Sequence, residues 1–109
     1  MSETLQRIDE MVKKYPVVLF MKGSPQFPMC GFSSRTVEIL KGYAQPFAWC
    51  NVISDSAIRA ELPRYQDWPT FPQLYINSEL VGGCDIAVEL AESGELEVMV
   101  RRAAQTFPA

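Results

Sequence analysis

Val17-Val18-Leu19-Phe20-Met21 is the longest apolar run of the chain, closed by Pro16 before it and by Lys22-Gly23 after it. A short run without polar alternation, bounded by breakers, reads as a strand buried on both faces. Such a strand needs a layer on each side of its sheet. The flanking sequence supplies helices for that role. Leu5, Ile8, Val12 and Tyr15 recur at steps of three and four, the stripe of an amphipathic helix. Ser2 is placed to cap it, Glu3 suits its first turn, and Pro16 stops it.

After the apolar run, Lys22 to Met29 contains Gly23, Pro25 and Pro28 and is predicted as a loop. A second helix follows Cys30-Gly31 to about Leu40, with Val37 and Leu40 on its inner face and Gly42 near its end. Phe47 to Val52 is the second strand. Asp55 or Ser54 caps a third helix through Ile58 and Leu62, whose end Pro63 leaves open. Trp68-Pro69-Thr70-Phe71-Pro72 is a stiff connector, since each proline restricts itself and its predecessor. Leu74 to Ile76, a turn at Asn77-Ser78-Glu79 and Leu80-Val81 make a hairpin ended by Gly82-Gly83. Asp85 is expected to cap a helix with Ile86, Val88 and Leu90. Gly94 interrupts, and Leu96 to Ala104 is the last helix. The predicted class is α/β. A parallel strand–helix–strand unit and an antiparallel hairpin combine into a four-stranded mixed sheet with helices on both faces.

At 109 residues, with 48% hydrophobic side chains, the chain is read as one domain spanning 1–109. Ten basic against thirteen acidic residues leave a net charge of −3, which argues against binding nucleic acid through its phosphates. The polar, acidic Met1-Ser2-Glu3-Thr4 start lacks the features of a signal or transit peptide, and no run approaches the ~20 residues of a membrane helix. A cytoplasmic protein is therefore expected. The chain has no histidine, which removes Ser-His and Cys-His catalysis and any histidine-ligated metal within one chain. Three cysteines do not make a secreted disulfide framework.

Cys30 opens a helix after a strand and a breaker-rich loop. Unpaired N–H groups and the helix dipole favour an anion there, so this thiol should ionise more readily than a free cysteine. Gly31 lets a ligand approach the backbone. The alternative is a small apolar filler at a helix start. Ser33 stands where a Cys-x-x-Cys motif would carry its second thiol, and serine cannot close that disulfide. Cys50, within an apolar strand, is read as core; Cys84 is ambiguous. By position alone Lys22 is a loop cation, Arg59 an exposed helix residue and Pro72 an ordinary proline.

Four ordered segments carry a resemblance: Met21-Lys22-Gly23-Ser24-Pro25, Cys30-Gly31-Phe32-Ser33, Trp68-Pro69-Thr70-Phe71-Pro72-Gln73 and Gly82-Gly83-Cys84-Asp85. In order and spacing they resemble the monothiol glutaredoxins of CGFS type, most of all the single-domain bacterial glutaredoxin 4 group. The resemblance implies the thioredoxin fold and a glutathione site. In it Lys22 and Arg59 would meet the glycine carboxylate of glutathione. Pro72 would be the family's cis-proline, presenting the Phe71 backbone for strand-like pairing. The N–H groups of Cys84 and Asp85 would hold the γ-glutamyl carboxylate, and the Asp85 side chain its ammonium group.

A [2Fe–2S] cluster usually takes four thiolates, and one chain offers one well-placed cysteine. The resemblance implies that two Cys30 thiolates and two glutathiones supply the four, in a homodimer bridged by the cluster. It further implies iron–sulfur acceptor proteins, and a BolA-like partner that would bring the missing histidine. Cys30 would then be both metal ligand and catalytic thiol. The competing reading is a glutathione-dependent thiol–disulfide oxidoreductase acting through Cys30, with Cys84 as a conceivable resolving thiol. Phe27, Met29 and Phe32 flank Cys30 and form either an apolar rim or local packing.

Overall fold

The computed structural model describes residues 2–106; Met1 and residues 107–109, the ends of the 1–109 unit read from sequence, lie outside the described residues. The elements follow the predicted order. They are α1 (Glu3–Lys14), β1 (Val17–Met21), α2 (Gly31–Gly42), β2 (Ala48–Asn51), α3 (Ser56–Tyr65), β3 (Gln73–Ile76), β4 (Glu79–Gly82), α4 (Cys84–Ser93) and α5 (Glu95–Thr106).

All five residues of β1 are buried, and they divide by parity. Val17, Leu19 and Met21 face a cluster with Val37, Leu40, Leu74, Ala87, Leu96 and Val100, beneath α2, α4 and α5. Val18 and Phe20 face the opposite cluster with Ile8, Val12, Ile58, Leu62 and Tyr75, beneath α1 and α3. The second cluster includes an edge-on aromatic pair, Phe20 and Tyr75, with ring centroids 5.7 Å apart.

The sheet order is β2-β1-β3-β4. β1 pairs parallel with β2 (Leu19 opposite Trp49) and antiparallel with β3 (Leu19 opposite Leu74), and β3 pairs antiparallel with β4. The hairpin turns on Asn77 and Ser78, both at positive φ (53° and 70°), the backbone twist that a two-residue hairpin needs.

Helix ends confirm some expectations and correct others. Ser2 accepts the Leu5 N–H at 3.1 Å, and Asp55, not Ser54, caps α3 by accepting the Ile58 N–H at 3.1 Å. Arg7 of α1 bonds the other Asp55 oxygen at 2.6 Å and ties the two helices. α3 continues through Pro63 to Tyr65. The expected Asp85 cap is wrong. Gly83 is the N-cap of α4 in an extended conformation, and Asp85 lies exposed in the first turn. The Gly82-Gly83 bend starts the helix two residues earlier than the polar side chain suggested.

Candidate functional site

The segment from Lys22 to Met29 is an ordered, self-bonded turn. Ser24 and Phe27 exchange backbone hydrogen bonds at 3.2 and 3.1 Å, and the Met29 N–H donates to the Lys22 carbonyl at 2.9 Å. The Gly23 N–H donates to Asn51 Oδ1 at 3.0 Å, which anchors the turn to the end of β2. The Lys41 ammonium donates to the Pro25 carbonyl at 3.2 Å. Gly23 adopts φ +94°, and a Cβ there would come within 2.5 Å of the Phe27 carbonyl oxygen.

This turn delivers the chain to Cys30, the N-cap of α2. Partial burial works against ionisation of its thiol. The backbone N–H groups of Ser33 and Phe32, the Ser33 hydroxyl and the charge of Lys22 outweigh it and hold the thiol below the ordinary cysteine range. Ser33 is fully buried, and its hydroxyl accepts the Lys22 N–H at 3.1 Å. The position that would carry a second thiol is therefore a structural tie between β1 and α2. Phe27, Met29 and Phe32 project outward, 79%, 65% and 61% exposed, as an apolar rim rather than local packing.

Beside Phe32 lies a cleft lined by Trp68, Phe71, Pro72, Gly83, Cys84, Asp85 and Ile86. The Phe71–Pro72 peptide bond is cis. Phe71 makes no backbone hydrogen bond outside regular elements among the described residues, so its N–H and carbonyl are open to a strand-like ligand. Opposite, no side chain caps the first turn of α4, which leaves its N–H groups free for an anion. The approach is close: a Cβ on Gly82 would lie 2.9 Å from Ile86, and one on Gly83 3.2 Å from the Pro72 carbonyl oxygen.

Of the residues singled out from sequence, Phe71, Pro72, Cys84 and Asp85 share this cleft. Cys30 adjoins Phe32 of the cleft through the Phe32 backbone N–H, and Lys22 is close enough to Cys30 for its charge to act on the thiol. Arg59 is exposed on α3, is not among the residues lining the cleft and makes no ion pair among the described residues. Cys84 is buried at the start of α4. Cys50 corrects the core expectation: it is half-buried, packed against the α1–α3 cluster. The edge strand β2 leaves one of its sides open. Burial pushes the Cys50 thiol up, Asp55 adds to that, and Arg7 opposes it.

The two shifts have opposite signs, which gives a direct expectation. Brief iodoacetamide treatment near pH 7, read by peptide mass spectrometry, should label Cys30 well before Cys50. Labelling of Cys30 should rise with pH at a lower pH than labelling of Cys50. Equal rates at the two cysteines would contradict the assigned electrostatics.

Sequence reasoning missed Trp68 as a wall of the cleft and Asn51 as the anchor of the turn before Cys30. Asn51 had no sequence signal. β3 starts at Gln73, one residue before the strand read from sequence, and buries that polar side chain completely.

A family profile described as Glutaredoxin matches residues 17–81. Glutaredoxin 4 of Pasteurella multocida is 47% identical over 106 residues, covering 97% of each chain. Among solved structures, reduced poplar apo GrxS14 superposes with a TM-score of 0.80 at 48% identity, over 93% of each chain. Buckwheat glutaredoxin in complex with glutathione superposes with a TM-score of 0.82 at 25% identity, over 93% of this chain and 90% of that one. With a single thiol at the start of α2, a buried serine in place of the second and a thioredoxin fold around them, the chain belongs to the glutaredoxin family, in its monothiol CGFS branch.

Proposed function

We propose that this protein carries a [2Fe–2S] cluster and passes it to acceptor proteins in iron–sulfur cluster assembly. The observation that carries this reading is the lone acidified thiol. Cys30 is partly exposed at a helix start, Ser33 replaces its partner, and no group of three His, Cys, Asp or Glu side chains among the described residues could hold a metal. One chain therefore presents one good ligand. Two chains and two glutathione thiols make four, the usual complement for such a cluster. Ligands that are partly non-covalent make a labile cluster, which suits transfer better than fixed electron transport.

The cleft fits glutathione by its donor set, and a buckwheat relative has been solved with that ligand. In this reading the first-turn N–H groups of Cys84 and Asp85 hold the γ-glutamyl carboxylate and Asp85 its ammonium group. The Phe71 backbone beside Pro72 pairs with the cysteinyl residue. Lys22 meets the glycine carboxylate; Arg59 would have to reach it from outside the cleft. The rim of Phe27, Met29 and Phe32 faces the second copy, or a BolA-like partner that contributes the histidine this chain lacks. The setting is the cytoplasm; no helix among the described residues is long and apolar enough to cross a membrane.

The lowered Cys30 pKa also favours a second reading, a thiol–disulfide oxidoreductase. The Cys30 thiolate would attack the glutathione sulfur of a mixed disulfide and release the substrate thiolate. A second glutathione thiolate would then attack the glutathione sulfur of the Cys30–glutathione disulfide, so that the Cys30 thiolate leaves and glutathione disulfide forms.

Anaerobic reconstitution with iron, sulfide and glutathione separates the two. A coloured dimer with one cluster and two glutathiones per two chains is expected. A colourless monomer that rapidly deglutathionylates a test peptide would shift the assignment to the oxidoreductase.

A further inference from the structure

Among the described residues Gln73 is the one amide with a fully buried side chain, directly after Pro72 at the start of β3. Its orientation is dictated by its partners. The Trp68 carbonyl can only accept, so it faces the amide nitrogen, with Nε2 donating at 2.9 Å. That leaves Oε1 to accept the Tyr75 hydroxyl, also at 2.9 Å. Tyr75 is itself buried against Phe20 and Tyr65. A chain of hydrogen bonds thus runs from the sheet core, through Gln73, to the loop that forms one wall of the cleft.

Trp68 is the end of this chain and part of that wall. Its backbone N–H donates to the Pro63 carbonyl at 3.0 Å. Its indole Nε1 is buried and has no hydrogen-bond partner among the described residues. The ring lies against Gly83, where an added Cβ would be 3.5 Å from Nε1 and 3.2 Å from the Pro72 carbonyl oxygen. A ring without a hydrogen bond of its own is placed by packing and by its backbone ties. Gln73 supplies one of the two.

We propose that Gln73 is a positioning residue for the cleft: its buried amide holds the Trp68 carbonyl, and so fixes how the indole sits against Gly83 at the N-terminus of α4. Gln73 does not line the cleft, so it acts through Trp68. Its effect on ligand affinity rests on the glutathione reading above; its effect on the indole does not.

The test separates positioning from stability. Gln73→Met removes the amide at similar length and strands the Tyr75 hydroxyl, so the urea midpoint should fall. Adding Tyr75→Phe removes the stranded hydroxyl and should restore the part of the midpoint lost with that bond, while the Trp68 carbonyl stays without its donor in both variants. Glutathione affinity, measured by calorimetry, should remain at least tenfold weaker in the double variant. Without ligand, the Trp68 indole ¹H–¹⁵N resonance should move in both Gln73 variants; Trp49→Phe assigns it, since the chain has two tryptophans. An unmoved resonance overturns the tie. A moved resonance with wild-type affinity in the double variant overturns the positioning role. Failure of the wild type to bind glutathione overturns the ligand reading instead, and the resonance still decides the tie.

Discussion

Cys30→Ser is expected to yield no chromophore on anaerobic reconstitution and no cluster-bridged dimer in size-exclusion chromatography. The physical reason is the chemistry of one atom. The N–H groups of Phe32 and Ser33, the Ser33 hydroxyl and Lys22 stabilise a thiolate at the start of α2. A serine hydroxyl in the same place stays protonated at neutral pH and is a poor ligand for iron. Neither of the other two cysteines is placed to substitute. Cys50 sits on β2 with its thiol pushed up by burial, and Cys84 is buried at the N-terminus of α4. Cys50→Ser and Cys84→Ser should therefore keep the cluster, since the proposed work of Cys84 is done by its backbone N–H. Thiol exchange with a glutathionylated peptide should fall to background in Cys30→Ser as well. A Cys30→Ser protein that still forms a coloured dimer would remove Cys30 from the ligand set and sink the sharing scheme.

Gly23→Ala should have the largest effect of any single methyl group added near the site. Gly23 sits at φ +94°, where side chains are strained, and the new Cβ would meet the Phe27 carbonyl oxygen at 2.5 Å and the Met29 nitrogen at 2.7 Å. Both contacts are backbone atoms held by the Ser24–Phe27 and Lys22–Met29 hydrogen bonds, so they cannot yield without opening the turn. A cost of about 2–4 kcal/mol is expected from backbone strain and lost bonds together. In a domain of this size that lowers Tm by roughly 10 °C or more. The same opening should loosen Lys22 from Ser33, so Cys30 alkylation near pH 7 should slow. Gly31→Ala is the control for stability: its φ is not positive, and an added Cβ would have no heavy atom within 4 Å. Its Tm should stay within about 2 °C of wild type. A Gly23→Ala protein with wild-type Tm and an unchanged alkylation profile would show that the turn does not set the thiol.

Periodicity and breakers made the element order legible. The run at 17–21 had to be a doubly covered strand, and α1 announced itself through its stripe and its Ser2 cap. Local chemistry also marked Cys30 as an anion-favouring helix start, because that effect arises within one turn of its own helix. Asp85 shows where local reasoning stops. A polar residue before an apolar stripe looks like a cap, but the preceding glycines could begin the helix sooner, and they did. Cys50 shows a second limit. An apolar strand says nothing about whether it lies at the centre or the edge of a sheet, and β2 is an edge.

The sequence by itself determined the alternation of helices and strands, the doubly buried central strand and the serine that denies Cys30 a second thiol at residue 33. These follow from properties carried by near neighbours in the chain: side-chain period, backbone restriction and the identity of residue 33. Tertiary structure decided what depends on contacts between distant segments. It placed β3 beside β1, brought Phe71 and Pro72 opposite Cys84 and Asp85, and left Arg59 outside their cleft. It also made Asn51 the anchor of the turn before Cys30 and Gln73 the tie behind Trp68. A buried amide or carbonyl must find a partner, and which partner it finds is settled only when the layers close on one another.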